Sequence, residues 1–225
     1  MNPSRPSEVA AAYNEWAATY DVVPNRTRDL AGDVLRRVNL KFTSRTIIEV
    51  GCGTGRNTEW LARSAASAKN IIGLDFSEQM LAHARARLND PRVRFLRHDV
   101  RSAWPLENAS ADVIIVMLVL EHVEHLQTIF EEAARTLTAF GELFICELHP
   151  MRQLLGGQAR FANVQTGELQ LVPAFLHNVS DYVNAGLAAG LELTQLGEWR
   201  DAEAAPRELP RLLSLTLRAP VRPLS

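Results

Sequence analysis

Ile47-Ile48-Glu49-Val50-Gly51-Cys52-Gly53-Thr54-Gly55 is an apolar run that breaks into glycines at alternate positions. The β-branched Ile47, Ile48 and Val50 favour a strand, and the glycines after them allow a sharp turn and a close backbone approach to a ligand. A helix-period segment follows at about 56–67, so free N–H groups at its start face whatever the loop holds. The spacing is G-x-G-x-G. Arg56 follows Gly55, so the third glycine comes one place early for the G-x-G-x-x-G of dinucleotide-binding loops.

Outward from this loop the chain alternates. Apolar runs at 46–50, 71–74, 93–96, 112–118 and 143–146 are separated by helix-period segments at about 56–67, 77–88 and 124–137. Such alternation implies right-handed crossovers and a doubly wound α/β fold with a mostly parallel sheet and helices on both faces. Upstream, Val9, Ala12, Tyr13, Trp16, Ala17 and Tyr20 form an aromatic-rich helical stripe with Ser7 as its expected N-cap, and a second helix is expected from Asp29 to Val38.

Downstream of residue 149 the pattern changes. MRQLLGGQARFANVQTGELQLVPAFLHN is mixed, a helix is expected from Ser180 to Ala189 before Gly190, and LELTQLGEW and RLLSLTLRA read as a closing strand pair. That makes seven strands with one antiparallel edge strand. The expected organisation is a single unit over 1–225: a helical cap at 1–40, a ligand-binding core at 41–148, a variable segment at 149–190 and the strand pair at 191–225.

Composition narrows the function. The 225 residues are 47% hydrophobic, enough for one sizeable core. Lys plus Arg number 24 against 26 Asp plus Glu, so no overall positive field gathers nucleic acid or an anionic membrane. Cys52 and Cys146 lack the paired spacing of a zinc site and suit a reducing compartment without structural metal. MNPSRPSEVA carries no apolar leader core, and no window reaches the ~20 apolar residues of a membrane span. The expectation is a cytoplasmic protein, monomer or homodimer, with no nucleic-acid or membrane partner.

Asp75, twenty residues beyond Gly55, ends the apolar run IIGLD where the second strand should finish. A carboxylate there can accept from both hydroxyls of a ribose, which fixes a nucleoside without naming it. The competing role, capping the next helix, suits Ser77 better.

These residues resemble class I S-adenosylmethionine-dependent methyltransferases, in the branch of ubiquinone/menaquinone-type and other small-molecule enzymes. The resemblance rests on EVGCGTG (49–55), GLDFSEQMLAHAR (73–85), FLRHDV (95–100), ADVIIVMLVLEHV (111–123) and the opening AAYNEWAATYD, and covers about residues 10–148. It implies a Rossmann-like sheet, S-adenosyl-L-methionine as cofactor and S-adenosyl-L-homocysteine as product. Carried over by position, Glu49 and the loop Gly51, Cys52, Gly53 and Gly55 take the methionyl end, and Asp75 holds the ribose. Phe76 and Met80 flank the adenine, Asp99 and Val100 meet its edge, Met117 offers a carbonyl to its amino group, and Tyr13 and Tyr20 close from the N-terminal helix.

Methyl transfer from a sulfonium is an in-line displacement that asks the protein mainly for alignment and exclusion of water. A base helps where the acceptor must lose a proton. His122 and His149 directly follow the fourth and fifth strands, at the carboxyl ends where ligands bind in open α/β sheets, and His177 precedes the late helix. These three are the candidate bases for a small-molecule acceptor. Arg152, Arg160 and Arg200 could pair with an anionic acceptor, and Phe161 and Trp199 could wall its pocket. Two other functions share the alternation. A nicotinamide-dependent reductase is disfavoured by the loop spacing and by the lack of Tyr-x-x-x-Lys, since Ala17, Pro24 and Gly186 stand at that offset from Tyr13, Tyr20 and Tyr182. A non-catalytic S-adenosylmethionine-binding protein remains open.

Overall fold

A computed structural model of the chain describes residues 6–43, 45–64, 68–164, 166–205 and 207–221. After α1 (Pro6–Trp16) and α2 (Arg26–Arg37), the strands β1 (Thr46–Val50), β2 (Asn70–Asp75), β3 (Val93–Arg97), β4 (Ala111–Met117) and β5 (Leu137–Leu148) alternate with α3 (Arg56–Ser64), α4 (Glu78–Arg87) and α5 (Leu126–Thr136). There follow α6 (Pro150–Leu154), the short strands β6 (Arg160–Ala162) and β7 (Leu169–Leu171), α7 (Val179–Ala188), β8 (Glu192–Trp199) and β9 (Leu212–Arg218). α1 begins one residue before Ser7, and residues 65–67, the expected end of the helix after the glycine loop, lie outside the described residues.

Seven strands form one sheet in the order β3-β2-β1-β4-β5-β9-β8. β1 to β5 run parallel, with α3, α4 and α5 carrying the connections after β1, β2 and β4 and the helix-free stretch 98–110 joining β3 to β4, while β9 enters antiparallel between β5 and the edge strand β8. Thus the antiparallel member of the closing pair stands one place in from the edge. The central strands alternate between two buried faces. Ile48, Val50, Ile114 and Val116 pack with α5 and α7, and Ile47, Ile71, Val113 and Ile115 pack with α2 and α3. Burial on both faces explains why these strands read as unbroken apolar runs.

A third, smaller core lies off the sheet. Val9 and Trp16 of α1 pack with Phe161 of β6 and with Val172, and the Trp16 and Phe161 rings stack at 5.4 Å with a 14° interplanar angle. This joins the N-terminal helix to the β6–β7 hairpin as a roof. Among the described residues no helix is long and apolar enough to cross a membrane.

Candidate functional site

The site lies where β1, β2 and β4 end, beneath α1. Gly51, Gly53 and Gly55 all take positive φ, at 71°, 53° and 75°. At Gly51 a Cβ would sit 2.2 Å from the Val119 side chain, so the loop can pass the turn after β4 only without one. A Cβ on Gly53 would meet nothing within 4 Å, because this glycine faces open space. Gly55 is different: it packs on Ala84 of α4, 3.0 Å from a built Cβ, and shapes the turn without lining the cleft.

Beside Gly53 the cleft has two lobes. One, about 660 Å³, is lined by Tyr13, Tyr20, Asp75, Phe76, Met80, Asp99, Val100, Met117 and His122; the other, about 550 Å³, by Glu49, Cys52, Arg28, Arg36, Arg56 and Asn57. Tyr20, Gly51, Gly53 and Met117 border both. The arginine-rich lobe, with the carboxylates of Glu49 and Asp29 also on its wall, suits an amino-acid zwitterion, the other lobe is mainly apolar and suits a nucleoside base, and Asp75 stands where a ribose joining the two would lie. This set fits S-adenosylmethionine, and the bare face of Gly53 leaves the passage between the lobes free.

Asp75 accepts from the Gly53 N–H and the Ser77 N–H, each at 2.8 Å, and Ser77 in turn caps α4 by accepting from the Met80 N–H. Burial pushes its carboxyl up to about 6 despite those backbone donors and that of Phe76, which together leave an oriented acceptor. Glu49 accepts a short bond from the Thr58 hydroxyl, and burial pushes it up to about 7. Asp99 is gripped by Nε and Nη2 of Arg101, at 2.8 and 2.6 Å; burial works to raise its carboxyl, but those bonds hold it below the usual range. Its free capacity toward an adenine edge is therefore smaller than the sequence suggests.

The N-terminal segment is tied across the cleft by polar contacts that sequence reading missed. Asn14 Oδ1 accepts from the Ser77 hydroxyl at 2.7 Å, and Asp21 accepts from the Thr54 hydroxyl at 3.0 Å and from Arg87, which also donates to the Thr54 carbonyl at 2.9 Å. Asp21 belongs to the same TYD stretch as Tyr20 and was legible as part of the opening motif, though not as a latch. Arg28 and Arg36, both on α2, line the same lobe of the cleft, on a helix whose polar face the sequence marks but does not aim.

Of the three candidate histidines, only His122 reaches the cleft. Its Nδ1 lies 2.7 Å from the Pro173 carbonyl, which can only accept, so the proton sits on Nδ1. In the neutral ring Nε2 is then an acceptor and takes the Tyr13 hydroxyl at 2.9 Å. Burial first, then nearby acids, hold the Tyr13 phenol well above its ordinary value, so it stays a neutral donor. His149 instead accepts from the Met151 N–H at the start of α6 and reaches Glu198 of β8 at 3.2 Å; His177 donates to the Val123 carbonyl at 2.7 Å and abuts Tyr182. Both follow or precede the right elements, but their side chains turn into the protein. Arg152 donates to the Leu209 and Pro210 carbonyls, Arg200 to that of Glu208, and Trp199 to the Ser214 hydroxyl, so these too serve the scaffold, as Phe161 serves the roof.

The turn after β4 carries Leu118, Val119 and His122 into the cleft. Leu118 adopts φ 57°, a conformation that costs a branched side chain energy, and Glu147 at the end of β5 holds it there: its Oε1 accepts from the Val119 and Leu120 N–H groups at 3.0 and 3.1 Å. Neither Leu118, Val119 nor Glu147 was singled out in the sequence. Among the described residues no cluster of three or more His, Cys, Asp or Glu is arranged to hold a metal ion.

Comparison with known proteins agrees with this geometry. A methyltransferase-domain family profile matches residues 48–145. A methyltransferase of Emericella nidulans, described as uncharacterized, is 31% identical over 223 residues, covering 84% of this chain and 77% of that protein. A demethylmenaquinone methyltransferase of Clavibacter sepedonicus is 26% identical over 203 residues, covering 87% and 81%. Among solved structures, an S-adenosylmethionine-dependent methyltransferase of Mesorhizobium loti superposes with a TM-score of 0.66 at 21% identity, over 93% of this chain and 99% of that one. The chain belongs to the class I S-adenosylmethionine-dependent methyltransferases, with S-adenosyl-L-methionine as cofactor and S-adenosyl-L-homocysteine as product. A nicotinamide-dependent reductase is thereby set aside.

Proposed function

We propose that the enzyme methylates a small, largely apolar acceptor whose reacting atom carries a proton, with His122 as general base acting through Tyr13. The observation that carries this reading is the 2.9 Å bond from the Tyr13 hydroxyl to His122 Nε2, with Nδ1–H fixed on Pro173. Val9, Phe76, Val119 and Val123 give the same lobe apolar walls, and relatives named as demethylmenaquinone methyltransferases support a ring compound as the acceptor class.

In this reading Arg28 and Arg36 hold the methionyl carboxylate, Asp75 the ribose hydroxyls, and Phe76 and Met80 the adenine faces, with Val100 and Met117 at its edge and Tyr20 over the join. The bound cofactor supplies a methyl group on a positive sulfur, which leaves as a neutral thioether. The protein's own work is alignment, dryness and proton handling. The acceptor's proton passes to Tyr13 Oη as the tyrosine's own proton moves to His122 Nε2, so the phenol ends unchanged and the imidazole ends charged. The acceptor's freed electron pair then forms the bond to the methyl carbon in line with the sulfur. A base of this kind contributes roughly 10²–10⁴-fold. Replacing His122 by Gln should therefore lower turnover of labelled cofactor by about 10²-fold or more across a panel of quinols, phenols and amines, while calorimetric affinity for S-adenosylhomocysteine stays within about twofold. Unchanged turnover on every acceptor used by the parent enzyme would sink the assignment.

A further inference from the structure

Glu121, the residue before His122, lies in the short 3₁₀ turn Leu120–His122, and its side chain points inward. It is 5% exposed, an unusual place for a carboxylate. Its Oε1 lies 3.8 Å from His122 Nε2, the Gln153 side chain stands beside the carboxylate, and among the described residues its Oε2 has no partner within hydrogen-bond geometry. Burying a carboxylate with an unfilled oxygen is costly unless a charge compensates it. While Nε2 accepts from Tyr13, the neighbouring imidazole carries no such charge. It gains one only when Nε2 takes a proton. At that moment the carboxylate faces an imidazolium with both side chains largely buried, where opposite charges act more strongly than in water.

We infer that Glu121 is the positioning residue that makes His122 a strong enough base, by serving as counter-charge to the protonated ring. This rests on the reading of His122 as the proton acceptor. The backbone is arranged to hold the pair in place. The Glu121 carbonyl accepts from the Phe175 N–H at 2.7 Å, and the next two residues are fixed by Pro173 and His177, so the segment 173–177 clamps the turn from outside. The other titratable groups around the ring are Tyr13 from α1, Asp75 and Glu147 from the strand ends, and His177 and Tyr182 on the α7 side. Asp75 is bonded to backbone N–H groups, Glu147 is turned to Val119 and Leu120, and His177 is turned to Val123, which leaves Glu121 as the acid nearest Nε2.

The test reads the ring itself. Histidine-labelled full-length protein, saturated with S-adenosylhomocysteine, is titrated by NMR, with the His122 signal assigned through the His122→Gln variant. A nearby opposite charge favours the protonated ring, so Glu121→Gln should move the His122 midpoint down by one pH unit or more, a tenfold or greater loss of proton affinity. Glu121→Asp, which keeps the charge on a shorter arm, should fall between the two and remains informative if the Gln variant folds poorly. In turnover, the acid limb of the pH profile should move down with the midpoint in Glu121→Gln while the KM for the acceptor holds. A His122 midpoint that stays in place in both variants overturns the inference. Because the midpoint is read without turnover, that result is distinct from a His122→Gln enzyme that keeps its activity, which would instead remove the base.

Discussion

Around Asp75 the polar contacts are close in sequence: the carboxylate takes the N–H of Ser77 two residues on and that of Gly53 twenty-two residues back, across one strand–loop–helix–strand unit. Around His122 both hydrogen bonds of the ring are distant, to Tyr13 109 residues away and Pro173 51. The two ends of one cleft are thus assembled differently. The cofactor end is built within a single supersecondary unit whose spacing the unit's own geometry dictates. The acceptor end is built by bringing α1 and the 173–177 segment onto the turn after β4, and nothing in local spacing requires it.

The sharpest way to break this comparison is Asp75→Ala. Loss of hydrogen bonds to a buried acceptor should weaken S-adenosylhomocysteine binding by about 2–3 kcal/mol, some 30- to 150-fold, in calorimetry. Affinity within threefold of the parent would remove the ribose assignment. The pH dependence has a definite sign. Ribose hydroxyls donate to the ionised carboxylate, and burial sets that group at about 6, so cofactor affinity should be full well above pH 6 and fall as pH drops through it. In Asp75→Ala this dependence should flatten.

The same contrast explains what was readable in the sequence. Strands β1, β2, β4 and β5 stood out because they are buried on both faces, and the helices between the strands keep a 3.6-residue period. The loop glycines and Asp75 stood out because the loop, helix and strand that place them are consecutive. The segment 149–178 did not, because α6 has five residues and β6 and β7 three each, too short for any periodicity to register. Tyr13 and His122 were each picked out, but for separate tasks, since only the folded chain shows that one bonds the other. His149 and His177 were picked out by position alone: the end of a strand fixes where the backbone emerges and not which way the imidazole turns.

A middle-sized effect tests whether the N-terminal segment belongs to the cofactor end. Asp21→Asn keeps the shape of the latch while removing the charge that Arg87 and the Thr54 hydroxyl meet. Asp21 is a quarter exposed and its ion pair is partly screened, so the loss should be about 1 kcal/mol, read as a roughly fivefold faster release of S-adenosylhomocysteine in stopped flow. A similar loss in Asn14→Ala would show that the latch acts along the whole segment. Release rates equal to the parent in both would mean that the third core, through Trp16 and Phe161, holds the roof without help.

The smallest functional effect is expected at His149, which separates position from orientation. Its Nδ1 accepts from the Met151 N–H and so caps α6, and its Nε2 meets Glu198, whose side chain is half exposed and contributes little. His149→Ala removes a cap and a buried ring, which should cost about 1–2 kcal/mol of stability and lower Tm by roughly 2–8 °C for a chain of this size. Turnover below the transition should stay within about twofold, and His149→Asn, which can still cap, should recover part of the Tm. A fall in turnover comparable to that of His122→Gln, with Tm unchanged, would mean that the ring swings into the cleft during the reaction and that strand-end position alone was the better guide. The expected opposite result would confine proton handling to the one histidine whose neutral form is fixed by a carbonyl and whose free nitrogen faces a hydroxyl.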